Sequence, residues 1–364
     1  MKRLLKIQSP SALTRAGLGW QVACVFVGVA LSCQATPERL PYTRIQETEF
    51  APLMAAAIEV DRAAPPPSAA SVTIVPAPPA ADLFPGTHWT AAQILRALAR
   101  VELRSFRPVG STSTVFRTTT GAPLRLAFKT ATHRRPLAAV AEVAAYRIAR
   151  CLGMTTVPPA LLRRVDVELL QRELEAPFVG LWPSLFERML VEHDTVEGAA
   201  IYWIEGLRDL ALDPADVRAL RQAAPSDHLP PMAAALSDLF AFDYLIGNWD
   251  RWSGGNVKGD PSGQILYVRD HDAAFAVRIG DVQQRRLLDR VIATERFSRR
   301  FVEHLRALTP SAFEQELAQD PGFAARRRLG ERNMDALFDR RAALLSHVQA
   351  LIDEYGEQRV LAFP

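Results

Sequence analysis

Apolar residues recur at helical spacing over residues 90–103, 137–152, 232–246, 295–308, 310–318 and 332–355, and these segments are predicted helices. The second of them stops at Gly153, a residue type that readily closes a helix. Two short strand-like runs within 115–129 flank Thr120-Gly121-Ala122-Pro123, a hairpin signal. Further strands are expected within 157–167, 185–191 and 198–204, and two more within 256–270, around Gly259-Asp260-Pro261-Ser262-Gly263. A strand-rich first half followed by a helical second half is an α+β arrangement.

The pattern changes character before residue 87. Residues 1–33 have the layout of an export signal: Lys2, Arg3, Lys6 and Arg15 make a basic start, and 16–31 is mostly apolar. Ala30 and Ser32 are the small residues of a cleavage site. Cys33 follows directly, as in a bacterial lipoprotein; a signal cleaved without lipidation and an uncleaved anchor are the other readings. The chain is thus expected to be exported to the cell envelope or secreted, with membrane contact only through the leader or a lipid on Cys33. Residues 34–86 are rich in Ala and Pro and bury too little apolar surface to offset chain entropy, so they read as a disordered tether. The folded part is expected to begin near Thr87.

Composition narrows the function classes. Hydrophobic residues make up 49% of the chain and charged ones 23%, as in an ordinary globular protein. The net charge is only +3 and the mature chain holds no Lys/Arg block, which argues against nucleic acid as a partner. With Cys24 and Cys33 in or beside the leader, Cys151 has no mate for a disulfide. One detail is sharper: of 43 basic residues only Lys2, Lys6, Lys129 and Lys258 are lysines. Lys129 closes the apolar run Leu124-Arg125-Leu126-Ala127-Phe128, where a compact charge on a thin stem suits a phosphate better than a guanidinium does. A surviving surface lysine is the plainer reading.

Phosphoryl transfer needs a cation on the phosphates, carboxylates that hold metal ions, and a carboxylate near the attacking hydroxyl. Glu142 is the only acidic residue of the small, apolar helix after Lys129. Buried, it needs a cationic partner; exposed, it is an ordinary helix glutamate. The segment Asn248-Trp249-Asp250-Arg251-Trp252-Ser253-Gly254-Gly255-Asn256 joins an apolar helix to a strand. There Asp250 is placed to accept the proton of a hydroxyl and Asn256 to offer oxygen to Mg²⁺ (or Mn²⁺), unless these are simply turn residues. A second β-rich run delivers Asp270-His271-Asp272, with Asp270 the main candidate metal ligand. Asp272 is either a second ligand or a surface carboxylate. A transition-metal site at His271 lacks a second histidine at ligand spacing. Gly110-Ser111-Thr112-Ser113-Thr114 is the candidate phosphate-covering loop, on backbone N–H groups alone.

Taken together these motifs resemble the secretory-pathway kinases of the Fam20 and four-jointed group, and more distantly HipA-like and phosphatidylinositol kinase-like folds, over 106–275. Asp243-Tyr244-Leu245-Ile246-Gly247-Asn248-Trp249-Asp250-Arg251 is similar to that group's catalytic segment. Asp270-His271-Asp272-Ala273-Ala274-Phe275 is similar to its metal-binding segment. Glu142-Val143-Ala144-Ala145-Tyr146-Arg147 resembles its αC helix, and 198–204 its hinge strand, with Trp203 beside adenine. Neither His-Arg-Asp nor Asp-Phe-Gly occurs, and Trp252 stands where His is common. The resemblance implies a two-lobed protein-kinase-like fold, with 87–207 as a strand-rich N-lobe and 208–364 as a helical C-lobe. It implies Lys129 on phosphate, Glu142 pairing it or the metal, Asp250 catalytic, and Asp270 on the metal. The function expected is γ-phosphoryl transfer from Mg-ATP to a hydroxyl acceptor: protein Ser/Thr, a sugar or a lipid head group. The alternatives are an inactive pseudokinase tethered to the envelope and a helical scaffold with no nucleotide site. Export and ATP use agree only where nucleotide is supplied outside the cell.

Overall fold

The computed structural model describes residues 83–364, apart from 86, 111–113, 121–123, 211, 225–228 and 325–328. The leader and most of the tether therefore lie outside the described residues, as do Ser111 and Thr112 of the candidate phosphate loop.

Helix α1 (Ala91–Arg100) opens on a capping box between Thr90 and Gln93 and buries Ile94 and Leu98. Strands β1 (Leu103–Val109), β2 (Val115–Thr120) and β3 (Leu126–Thr130) follow, then helix α2 (Ala138–Cys151) and strand β4 (Ala160–Asp166). A crossover of α3 (Val167–Arg172), a 3₁₀ turn (Ala176–Leu181) and α4 (Trp182–Arg188) leads into β5 (Val191–Glu192) and β6 (Thr195–Tyr202). The sheet runs β1-β2-β3-β6-β4, with β5 added to β6, and every described pairing is antiparallel. β3 is buried at all five positions because it is covered on both faces, which is why its Leu126-Ala127-Phe128 shows no apolar–polar alternation. Helix α2 covers one face. Ala138 to Ala149 are buried without exception, and the small side chains let its backbone lie close to β3, β4 and β6.

The second lobe follows, with β7 (Arg208–Asp209), α5 (Pro214–Ala219) and then α6 (Pro231–Ile246), which is apolar on nearly every side and correspondingly buried. β8 (Val257–Gly259) and β9 (Leu266–Val268) complete a small sheet with β7. The rest is helical: α7 (Asp281–Ile292), α8 (Arg299–Ala307), α9 (Pro310–Leu317), α10 (Pro321–Ala324), α11 (Glu331–Tyr355) and α12 (Glu357–Val360). Among the described residues no helix is long and apolar enough to cross a membrane.

The strand expected within 185–191 is mostly the helix α4. Leu185 and Met189 are buried at a spacing of four while Phe186 between them is exposed, so the run is amphipathic at helical period, and Pro183 sits in its first turn. The main chain also packs from Phe84 onward, three residues ahead of the expected start. The buried Phe84 ring lies 6.0 Å from Tyr202, at the end of β6, and 6.0 Å from Tyr267 on β9. The Tyr267 hydroxyl donates to the Pro85 carbonyl at 2.7 Å, so this entry segment straps the large sheet to the small one.

Candidate active site

Strand β3 holds Lys129 between Val115 of β2 and Ala199 of β6, and the side chain is 3% exposed. Its ammonium lies 2.7 Å from Glu142 Oε1, 2.5 Å from Asp270 Oδ1 and 2.9 Å from Asp272 Oδ2. Burial pulls the ammonium pKa down, but Glu142, Asp270 and Asp272 outweigh it and hold Lys129 above its ordinary value. Glu142, also buried, accepts from the His271 main-chain N–H at 2.9 Å and meets the ring Nδ1 at 2.9 Å. Burial would raise this carboxyl; Lys129 and His271 win and keep it below the usual range. Burial, then the charge of Arg251, lowers His271, against the pull of Glu142. Its Nε2 is buried without a partner, and the ring stands edge-on to Phe242 at 6.2 Å.

Asp270 takes a left-handed backbone (φ 65°) that a non-glycine residue adopts only when its surroundings hold it there. Asn248 supplies part of that hold, donating Nδ2–H to the Asp270 carbonyl at 3.3 Å. Arg251 supplies more: it is fully buried, forks onto the Asp243 carboxylate at 3.0–3.1 Å, and also donates to the Arg269 carbonyl. The loop carrying Asp250 is thereby pinned both to α6 and to the strand end that presents Asp270. Asn256 donates Nδ2–H to the Asp250 carbonyl at 3.4 Å.

Asp272 proves to be buried, its side chain 2% exposed. Burial raises its pKa against the opposing pull of Lys129. Arg135, in the loop between β3 and α2, closes the circle: one guanidinium nitrogen contacts Asp272 and the other lies 3.7 Å from Asp250 Oδ2. Lys129, Glu142, Asp250, Asp270 and Asp272, widely separated in the chain, thus share one cluster.

The cluster holds four carboxylates against two cations, Lys129 and Arg135. Such an excess of hard oxygen donors suits Mg²⁺ or Mn²⁺. Lys129 occupies the centre, and among the described residues no three acidic, His or Cys side chains converge on a metal position of their own. A metal held by one or two carboxylates with phosphate oxygens completing its shell is compatible with that.

Trp203 follows β6 directly; its N–H donates to the Arg125 carbonyl at 3.0 Å, and the Arg117 guanidinium stands 5.9 Å from the ring centre. Gly110 takes φ 81° just beyond β1, with open space where a side chain would be. No described contact links either residue to the carboxylate cluster. The sequence reading missed Arg135, as well as the bracing of Glu142 by His271 and of Asp243 by Arg251.

No protein-family model matches the chain, and no curated protein matches it. Solved structures do. The structure of the Golgi casein kinase matches with a TM-score of 0.58 at 17% identity, covering 74% of this chain and 79% of that one. The same kinase with Mn/ADP bound gives 0.57 at 16%, covering 74% and 78%. Hydra Fam20 with sugar gives 0.56 at 18%, covering 74% and 91%. The fold is that of the Fam20 kinases: two lobes of α+β, protein-kinase-like architecture.

Proposed function

We propose that this chain is a phosphotransferase that moves the γ-phosphoryl group of Mg-ATP to a hydroxyl acceptor. One observation carries the reading: a buried lysine, locked by a helix glutamate, lies against Asp270 and Asp272 while Arg135 links the same group to Asp250. The likeness to a kinase whose structure holds Mn/ADP supports it.

In this reading Lys129 contacts the α- and β-phosphates, and Glu142, immobilised by His271, keeps its ammonium in place. Asp270, Asp272 and the Asn256 amide oxygen would hold the metal, which would supply charge neutralisation on the phosphates. Asp250 orients the acceptor hydroxyl and takes its proton, and Asn256 steadies the loop beneath it. Trp203 and Gly110 belong to the nucleotide side. Protein Ser/Thr, a sugar or a lipid head group are the acceptors in view. Export is part of the same proposal, with nucleotide met outside the cytoplasm; intact mass of the envelope fraction checks it, a full-length leader with unmodified Cys33 counting against cleavage and lipidation.

The test is γ-phosphate release or transfer by the wild type, Asp250→Ala and Asp270→Ala, alongside melting with Mg-ATP. Bound nucleotide stabilises by RT ln(1 + [L]/Kd), so a concentration-dependent rise in Tm is expected. Both variants should lose at least about a hundredfold in turnover. Equal rates in all three proteins would defeat the assignment. A wild type that binds without turnover would be a pseudokinase, and one that shows no thermal response would have no nucleotide site.

A further inference from the structure

We infer that Arg135 is a further catalytic residue, one that grips the transferring γ-phosphoryl group; the inference rests on the phosphotransfer reading above. Its guanidinium touches two carboxylates with different tasks in that reading: Asp272 on the metal side and Asp250 on the acceptor side. The γ-phosphoryl group has to pass between those two positions, since its oxygens meet the metal and its phosphorus meets the hydroxyl. Arg135 therefore already spans the path of the reacting group.

Its setting differs from that of Lys129. Lys129 is 3% exposed and held by three carboxylates, whereas the Arg135 side chain is 40% exposed. Only one of its two contacts is tight; the 3.7 Å approach to Asp250 is a loose ion pair. The backbone beneath it is fixed, because the Arg135 N–H is held by the Thr132 carbonyl and hydroxyl, both at 3.1 Å. A planar fork on a fixed base suits a phosphoryl group, which offers several oxygens at once. With Mg-ATP bound, Asp272 would turn to the metal and Asp250 to the acceptor hydroxyl. The guanidinium is then released to the phosphate lying between them.

In the transfer step the acceptor oxygen bonds to the γ-phosphorus as its bond to the β–γ bridging oxygen breaks. Asp250 takes the hydroxyl proton, ADP leaves with the bond electrons, and Arg135 offsets the charge on the γ-phosphoryl oxygens throughout. ADP offers no γ-phosphoryl group, so Arg135 should discriminate triphosphate from diphosphate. A merely structural arginine would not.

The experiment compares full-chain wild type, Arg135→Ala and Arg135→Lys. It measures melting without ligand, affinity for Mg-ADP and for the Mg complex of a β,γ-imido ATP analogue, and ATP hydrolysis with water as acceptor. Arg135→Ala is expected to bind Mg-ADP no more weakly than wild type. Its ratio of triphosphate to diphosphate affinity should fall about tenfold. Turnover should fall about a hundredfold or more, with Arg135→Lys in between because it keeps the charge but loses the fork. An unchanged affinity ratio in a variant that melts like wild type overturns the assignment, as does wild-type behaviour of Arg135→Lys in both ratio and turnover. Should Arg135→Ala fail to fold, Arg135→Lys decides by the same criteria. Wild type binding and hydrolysing ATP while both variants match it would sink Arg135 alone. Wild type binding neither nucleotide would sink the phosphotransfer reading and this assignment with it.

Discussion

Asp238 on α6 is a carboxyl that the proposed chemistry does not use. Its Oδ1 is buried without a partner, and burial pushes its pKa up to about 7. Because the folded-state value lies above the unfolded one, the folded chain keeps a proton that the unfolded chain releases between about pH 4 and pH 7. Stability is therefore expected to fall as pH rises through that window, by on the order of a few kcal/mol in all. Asp238→Asn removes the ionisable group. It should melt higher than wild type at pH 8 and lose much of the slope between pH 4 and 7; identical melting curves at pH 8 would contradict this. The residues of the candidate site were unequally legible in sequence. Lys129 stood out because nearly every other cation is arginine, and Glu142 because it is the single acid on an apolar helix. Arg135 could not stand out, being one arginine among many, and its meaning comes only from the carboxylates that folding brings to it. The burial of Asp272 was equally invisible until folding set Lys129 and Arg135 against it.

Elements place these groups through a few tight junctions. Helix α6 ends at Gly247, whose backbone is left-handed (φ 67°). A Cβ there would meet Ile279 at 2.9 Å and the Arg340 guanidinium carbon at 3.2 Å, and that arginine donates to the Leu245 carbonyl at 2.8 Å. Gly247→Ala combines backbone strain with a steric shift, at a cost of about 1–3 kcal/mol. Since the loop bearing Asp250 starts at this point, turnover should drop along with Tm. An alanine variant with wild-type melting and rate would show the junction to be pliable. The same scale explains which elements the sequence hid. β1 buries Leu103 and Phe106, three residues apart, because a bulge at Ser105 (φ 55°) shifts its register on β2. A strand whose alternation is broken in this way carries no period-two signature. Helix α7 hid for another reason: it is rich in Arg, Asp and Gln and fully buries only Leu287 and Val291. α6 and α11, long and apolar along the core, were plain.

For the whole molecule, two apolar clusters matter: one beneath the large sheet with α1, and one shared by α2, α6 and the helices that follow. The first also contains Phe84 and Tyr267, so it reaches from the segment where the described chain begins to the small sheet of the second lobe. Two truncated chains isolate the strap, one beginning at Leu83 and one beginning at His88. Removal up to Thr87, or Phe84→Ala in the intact chain, should cost about 3–5 kcal/mol. Equal stability of the two truncated chains would show that the strap contributes nothing. The lobes lay in the expected order, yet nothing in the Ala/Pro-rich run distinguished Phe84 from the residues before it. Its partners, Tyr202 and Tyr267, are supplied by the far end of β6 and by another lobe.

That placement has a mechanical consequence. The polypeptide ahead of Leu83 joins the body at the joint between the lobes, where the Phe84 ring and the Pro85 carbonyl engage both sides. A load applied upstream of that point is delivered to the joint itself, in the way a cord tied at a hinge works the hinge and not the door edge.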